Sequence, residues 1–372
     1  MKIAIITWCS YPNYGTYLQA YAMQWQLRSM GHNAVLLDDS IYTTNLPRPK
    51  LTILTSKCKR SLKAIVLPSY RKSKKNDSIA LEMFQNFRNT QLDIDKNIIP
   101  LELLDKRYDC YVCGSDQIWL PECLSAIGKD FFFATFTSKS KIAYAPSGLI
   151  DYPKNLQNEL AQRLKDFPFL SAREPHAASF LCQLTNKEVT TVTDPTLFVP
   201  MEEWSKLITK DKKNLNPPFL LLYMLTRNKK YMQAAINYAK RKGLKLKIIH
   251  SIGVYHRKST IPAGPSEFLS LIKDADMVMT DSFHGTIFSI IFQRQFVTFQ
   301  RFHNKENNNQ NLRIINLLNM AGVANRFINE ECVKDINALK DVNFEDINQR
   351  LTPFIEKSRT YLDNAIRSLQ HG

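Results

Sequence analysis

ADMVMTDSFHGTIFSIIFQRQF, residues 275–296, reads as a buried strand, a polar turn and an apolar helix in succession. Met277–Thr280 carries no charge and predicts a strand covered on both faces, as in a parallel sheet. Asp281-Ser-Phe-His-Gly-Thr286 predicts a sharp turn, and Ile287–Phe292 the helix that it opens. Such a junction gathers backbone N–H groups and the positive end of a helix dipole at the carboxyl edge of a sheet, where ligands collect. Anions bind at such places. Ser282 is placed to cap the helix, Gly285 to let a ligand approach the backbone, and His284 to titrate at the mouth of the site. The alternative is a structural histidine beside an ordinary capped helix. Dense polar residues between strongly apolar flanks argue against it.

The same strand-then-polar-turn signature recurs toward the N-terminus. Lys2–Thr7 is an apolar strand, Ser10–Thr16 a polar loop, and Leu18, Tyr21, Ala22 and Trp25 fall at helical spacing before Gly31. Ala34–Leu37 completes a βαβ unit, which implies a right-handed crossover and a doubly wound sheet. Asn13, Tyr14 and Gly15 stand in the first turn, where a phosphate or sugar would sit, although the full G-x-G-x-x-G pattern is lacking. The strand Tyr108–Cys113 ends in Gly114-Ser115-Asp116-Gln117. Asp116 is open between a base, an acceptor for a sugar hydroxyl and a plain N-cap. Lys141–Ala145 leads to Ser147, and Phe169–Ala172 delivers Arg173 before a helix that Pro175 can start. Arg173 either pairs with Glu174 or offers its planar fork to a carboxylate or phosphate.

After a proline-flanked linker at 200–218 the pattern restarts. Strands are expected at Phe219–Leu225, Leu246–His250 and Gln295–Phe299, and helices at Lys230–Arg241, Ser266–Lys273 and Leu312–Met320. The expected fold is α/β, with two doubly wound parallel-sheet (Rossmann-like) domains at about 1–200 and 215–345. A basic insertion is expected at about 40–76, a helix at Leu81–Phe87, and a C-terminal helix within 346–372 that packs back on the first domain. Carboxyl-edge loops then face each other across a cleft. Asn13, Asp116, Ser147 and Arg173 line one wall, and Arg227, Ser251 and His284 the other.

At 372 residues the chain exceeds one comfortable core, and 44% hydrophobic with 11% aromatic residues excludes a disordered protein. The start lacks the pattern of a signal peptide, and no run approaches the ~18–20 apolar residues of a membrane span. Seven scattered cysteines suggest a reducing compartment, so a cytoplasmic protein is expected. Cys110 and Cys113 form a lone C-x-x-C inside an apolar strand, without the second pair or histidines of a zinc site. No metal or cofactor is expected. Lys+Arg 50 against Asp+Glu 34 leaves a net charge of +16. The stretch Lys57–Lys75 supplies eight basic residues and no acid. Without interleaved aromatics it does not suit nucleic acid, which leaves a solvated insertion or a contact with an anionic membrane surface.

Taken in order, NYGTYLQAYAMQWQL, YDCYVCGSDQIW, KIAYAPSG, FLSAREPHAASFL, TVTDPTLF and ADMVMTDSFHGTIFSIIF resemble the polysaccharide pyruvyl transferase family over about residues 1–325. The pair GSDQ-x-W and D-S-F-H-G-T is the most specific part. The resemblance implies a two-domain glycosyltransferase B-like plan and phosphoenolpyruvate as co-substrate. Its enolpyruvyl unit would pass to a sugar of a cell-surface polysaccharide or lipid-linked precursor, forming a pyruvate ketal and releasing phosphate. His284 matches the family's key histidine and is expected as acid or phosphate partner. Arg173 is expected as anion clamp, and Asp116 as the group that orients or deprotonates the acceptor hydroxyl. Ser115, Gln117, Phe283 and Thr286 complete the expected substrate contacts. Other branches often carry Arg-Leu-His where this chain has Ser282-Phe283-His284, so one cation is missing, and Arg227, Arg301 and Arg313 are the candidates to replace it. Two other functions fit the same pattern: a nucleotide-sugar glycosyltransferase, and a non-catalytic glycan- or lipid-binding protein.

Overall fold

The computed structural model describes residues 1–43, 68–97, 99–124, 129–150, 152–208, 217–254, 259–302 and 311–370. Its first sheet comprises β1 (Lys2–Ile6), β2 (Asn33–Leu37), β3 (Ile94–Asp95), β4 (Cys110–Cys113) and β5 (Lys141–Ala143), in the order β3-β2-β1-β4-β5. A short pair, β6 (Leu170–Ala172) and β7 (Val189–Thr191), continues beyond β5 through the Ile142–Phe169 bridge. The second sheet holds β8 (Phe219–Tyr223), β9 (Lys245–Ile248), β10 (Met277–Thr280), β11 (Gln295–Phe299) and β12 (Phe327–Ile328), ordered β12-β11-β10-β8-β9. Every pairing is parallel. The molecule is thus an α/β protein with two Rossmann-like sheets in a glycosyltransferase B-like arrangement. Central strands read as uncharged runs because helices cover both faces; Ile3–Ile6, Cys110–Cys113 and Met277–Met279 are all buried.

Strand order reverses at β1/β4 in the first sheet and at β8/β10 in the second. These are the switch points where a doubly wound sheet opens a crevice beyond its carboxyl ends. The loops after β1 and β4 carry Asn13 and Asp116, and the turn after β10 leads into the helix whose first turn holds His284.

Three devices fasten the halves together. Tyr14 stacks on Phe268 at 4.3 Å and donates its hydroxyl hydrogen to Ala263 O at 3.0 Å. The helix Pro68–Gln91 reaches the second half: Asn76 Nδ2 donates to Thr260 O at 3.0 Å, and Asp77 pairs with His250 Nε2 at 2.9 Å. The helix Phe344–Gln370 crosses back, where Ser358 Oγ accepts from Thr193 N at 2.8 Å and the Tyr361 hydroxyl donates to Ala143 O at 3.0 Å. Ile347, Leu351, Leu362 and Ile366 are its buried stripe at helical spacing.

The basic stretch differs from its expected form. Residues 44–67 lie outside the described residues, but Arg71, Lys72, Lys74 and Lys75 belong to the helix Pro68–Gln91, which starts well before Leu81. Its first turns dock through polar contacts (Lys72 Nζ to Ser259 Oγ at 3.0 Å is another), so they show no apolar period. The helix forms there because tertiary partners hold it. Among the described residues no helix is long and apolar enough to cross a membrane.

Candidate active site

The helix after β10 is Phe283–Ile291, so it begins a full turn before Ile287 and takes His284 into its first turn. Ser282 caps it, its hydroxyl accepting from Gly285 N at 3.3 Å. A second helix N-terminus faces it from the other half: Asn13 Oδ1 accepts from Gly15 N at 2.9 Å and Thr16 N at 3.4 Å, capping Tyr14–Ser29. Gly15 lies against the imidazole so closely that a Cβ there would sit 1.9 Å from His284 Nδ1. Two positive dipole ends therefore converge on one histidine at the junction of the halves.

Asp194 stands on the other side of that ring. Its Oδ2 is 2.9 Å from Arg173 Nη2 and 3.5 Å from His284 Nε2. The Arg173 and Asp194 side chains are 4% and 1% exposed, which makes this a desolvated pair rather than a surface one. Burial alone would raise the Asp194 pKa; the Arg173 guanidinium, then His284 and Thr196, outweigh it and hold the carboxyl well below the usual range. It stays ionised at neutral pH. Oδ1 accepts from Thr196 N at 2.9 Å and Thr196 Oγ1 at 2.6 Å, which fixes the carboxylate's orientation. The Oδ2 contacts are electrostatic rather than aligned hydrogen bonds, and His284 Nε2 has no hydrogen-bond partner. Arg173 Nε and Nη1 are likewise buried without one. Buried donors left open in this way mark where a polar ligand or water belongs.

The GSDQ turn supplies the neighbouring groups. Ser115 Oγ accepts from Arg173 Nη2 and donates to Ala145 O, so it positions the guanidinium. Asp116 adopts φ 70, a left-handed backbone uncommon outside glycine, and its Oδ2 accepts from Thr16 Oγ1 at 3.1 Å. Gln117 Nε2 is buried without a hydrogen-bond partner. Ser147 Oγ donates to Glu174 Oε1 at 2.6 Å and Gly148 N donates to Oε2 at 3.3 Å. Glu174 is therefore held by that turn, and Arg173 is left to Asp194. Phe283 serves as a platform for cations: the guanidinium carbons of Arg173 and Arg313 lie 5.2 Å and 5.7 Å from its ring centre.

Three residues expected as substrate contacts, Tyr14, Gly285 and Thr286, carry structural duties. The Tyr14 ring and hydroxyl are used between the halves, and Tyr14 is buried. Gly285 is needed because a Cβ would lie 2.5 Å from Thr280 Oγ1; the end of β10, rather than a ligand, occupies that space. Thr286 is fully buried, with Oγ1 donating to Ser282 O at 3.0 Å and touching Thr298 Oγ1 at 2.8 Å. Arg227 is exposed on the loop after β8, outside the buried cluster. Ser251 on the same expected wall is also buried and gives its hydroxyl hydrogen to Met224 O at 2.7 Å. A separate depression of about 250 Å³ near Trp25, Arg28 and Glu203 lies at the other end of the helix Tyr14–Ser29 from Gly15.

Across the residues that carry this geometry, a family model described as polysaccharide pyruvyl transferase matches residues 13–304. The chain belongs to the polysaccharide pyruvyl transferase family. A search of the curated proteins found no match. Solved structures share the fold at low identity. A Listeria monocytogenes protein assigned as a UDP-N-acetylglucosamine 2-epimerase has a TM-score of 0.55 at 11% identity, covering 98% of this chain and 95% of its own. The UDP-N-acetylglucosamine 2-epimerase from Rickettsia bellii gives 0.51 at 11%, covering 99% and 96%. Another UDP-N-acetylglucosamine 2-epimerase gives 0.53 at 9%, covering 100% and 97%.

Within this pyruvyl transferase family member, sequence reasoning missed Asp194 and Thr16. Asp194 had a legible signal, an acid before Pro195 at the end of the β-branched stretch 189–193, the same strand-then-polar-turn form as the other site loops. Thr16 had none, since its partner Asp116 is far along the chain. The Gly15 contact gives a direct test of the His284 placement. Gly15→Ala is expected to leave the fold intact, since alanine favours helix over glycine by about 1 kcal/mol. It should nevertheless displace the imidazole and cut pyruvyl transfer by about 10²-fold, as ~1 Å misplacements do. Melting temperature and turnover measured side by side check this, and a fully active Gly15→Ala enzyme would contradict the packing.

Proposed function

We propose that the protein moves the enolpyruvyl unit of phosphoenolpyruvate onto two hydroxyls of a sugar, in a cell-surface polysaccharide or its lipid-linked precursor, giving a pyruvate ketal and free phosphate. The observation that supports this best is the His284 ring, held between Gly15 and the ionised Asp194 at a helix N-terminus, with open N–H groups of Arg173 beside it. A small trianion suits such a place, because guanidinium forks and a helix dipole both favour carboxylate and phosphate.

His284 delivers a proton to the methylene carbon, whose double-bond electrons form the new C–H bond. Positive charge then develops at the carbon bearing oxygen and carboxylate. A sugar hydroxyl attacks that carbon, oriented by Asp116, and its proton returns to the imidazole. The carbon–oxygen bond to phosphate breaks with the proton going to phosphate, and the second hydroxyl closes the ketal. Two hydroxyl protons are thus accounted for, one in the new methyl group and one on phosphate. Asp194 orients the ring and balances its positive charge, the part a buried carboxylate plays beside a catalytic imidazole.

Incubation with phosphoenolpyruvate and a panel of galactosides and hexosamines, free and lipid-linked, tests this by phosphate release and by the mass of the glycan. Addition of 70 mass units to one acceptor is the expected product, as three carbons enter with loss of two hydroxyl hydrogens. Turnover of a nucleotide sugar, with phosphoenolpyruvate left untouched, would replace this proposal with glycosyl transfer.

A further inference from the structure

Ser282 spends its hydroxyl as a helix cap, so the position two residues before His284 gives no positive charge to the site. Charge arrives instead from the two elements that follow. β11 lies beside β10 in parallel register, Thr280 opposite Thr298, so the chain leaves β11 at Arg301 on the same carboxyl edge as Ser282. The helix Asn311–Met320 starts beside that point: Asn311 Oδ1 accepts from Arg301 N and Phe302 N, each at 3.1 Å, and Asn311 Nδ2 donates to Phe302 O at 2.7 Å. Arg301 and Arg313 thereby come from one fastened corner of the second half. The Arg313 guanidinium lies over Phe283 at 5.7 Å, sharing that ring with Arg173 from the first half. Burial pushes the Arg313 pKa down to about 10; Glu174 and Asp116 counter this, and Arg173 and Arg301 add to it. Arg301 Nε is buried without a hydrogen-bond partner. Arg173, over nine-tenths buried, has Nε and Nη1 in the same condition.

We infer that Arg301 and Arg313 form the phosphate-holding arm of the site and replace the cation that Ser282 does not provide, with Arg173 facing them as the carboxylate-holding arm. Phosphate carries the larger charge and draws on the helix N-terminus of Phe283–Ile291, which lies on the same half as both arginines. Arg173 projects from the opposite half, where the shorter carboxylate end can reach it. The assignment rests on the phosphoenolpyruvate reading of the site.

Calorimetric titration of inorganic phosphate, pyruvate and phosphoenolpyruvate separates the two ideas. The proteins are wild type, Arg301→Gln, Arg313→Gln, Arg313→Lys and the exposed control Arg367→Gln. Loss of either arm cation is expected to weaken phosphate and phosphoenolpyruvate by about 10- to 100-fold, the range of a charged hydrogen bond. Pyruvate, which has no phosphate, should bind the variants as it binds wild type. Arg313→Lys should fall between, since lysine keeps the charge and loses the fork. Circular dichroism on each variant shows which are folded, and Arg301→Gln carries the test where Arg313→Gln does not fold. Folded variants that bind phosphate as wild type does, or wild type that binds none, overturn the inference. Phosphate binding that is lost in the variants, from a protein that never consumes phosphoenolpyruvate, leaves the arm standing and removes the pyruvyl transfer instead.

Discussion

Asp194→Asn should unfold at a clearly lower urea midpoint than wild type, with stability reduced by about 3–5 kcal/mol and an unchanged m-value. The substitution preserves shape, and its Oδ1 still accepts from Thr196 N and Oγ1. What it removes is the negative charge opposite a guanidinium that is 4% exposed. A buried charge without its partner keeps its full desolvation cost, and the new amide N–H groups would face the donors of Arg173. The pH dependence gives the sign independently. The Asp194 pKa is depressed in the folded protein, so its contribution is present above the ordinary carboxylate pKa and is lost as pH falls below it. The stability gap between variant and wild type is therefore expected to hold steady from pH ~6 to ~8 and to narrow from about pH 5 downward. A gap that stays constant down to pH ~3 would mean that shape, and not charge, is what the substitution disturbs.

His284→Ala should leave the melting temperature near that of wild type and reduce phosphate release from phosphoenolpyruvate by about 10²–10⁴-fold, the usual worth of a positioned acid. Stability is spared because Asp194 keeps Arg173 and Thr196 as partners, and the imidazole Nε2 makes no hydrogen bond that the fold would miss. Turnover suffers because the imidazole is the proposed proton donor, and alanine cannot take its place between the two helix N-termini. Single-turnover phosphate release on the folded variant decides the matter. A rate close to wild type would take His284 out of the mechanism, and with it the reason for Gly15 to lie where it does.

These expectations differ in how much of each could be read without coordinates. Ser282-Phe283-His284 after an uncharged strand is visible as a strand end and a cap, because burial on both faces and orphan N–H groups leave local signatures. The partner of Arg173 was not visible. Glu174 is its neighbour in sequence, but Ser147 and the turn at Gly148 claim that carboxylate, and Asp194 takes its place. Tyr14 and Thr286 are polar residues in site turns, and only their surroundings show that the fold uses them. The helix Pro68–Gln91 went unread in its first turns for a related reason: it docks through Asn76 and Asp77, and polar docking leaves no period.

The sequence by itself determined the two parallel sheets, the polar turns at their carboxyl ends and the family, since uncharged runs, capping and loop composition act within a few residues. Tertiary structure alone decided that Gly15 meets His284, that Asp194 lies between His284 and Arg173, and that Arg313 shares Phe283 with Arg173. Close approach and charge pairing follow the order in which strands lie in each sheet and the way the two sheets face. No pattern of neighbouring residues records either.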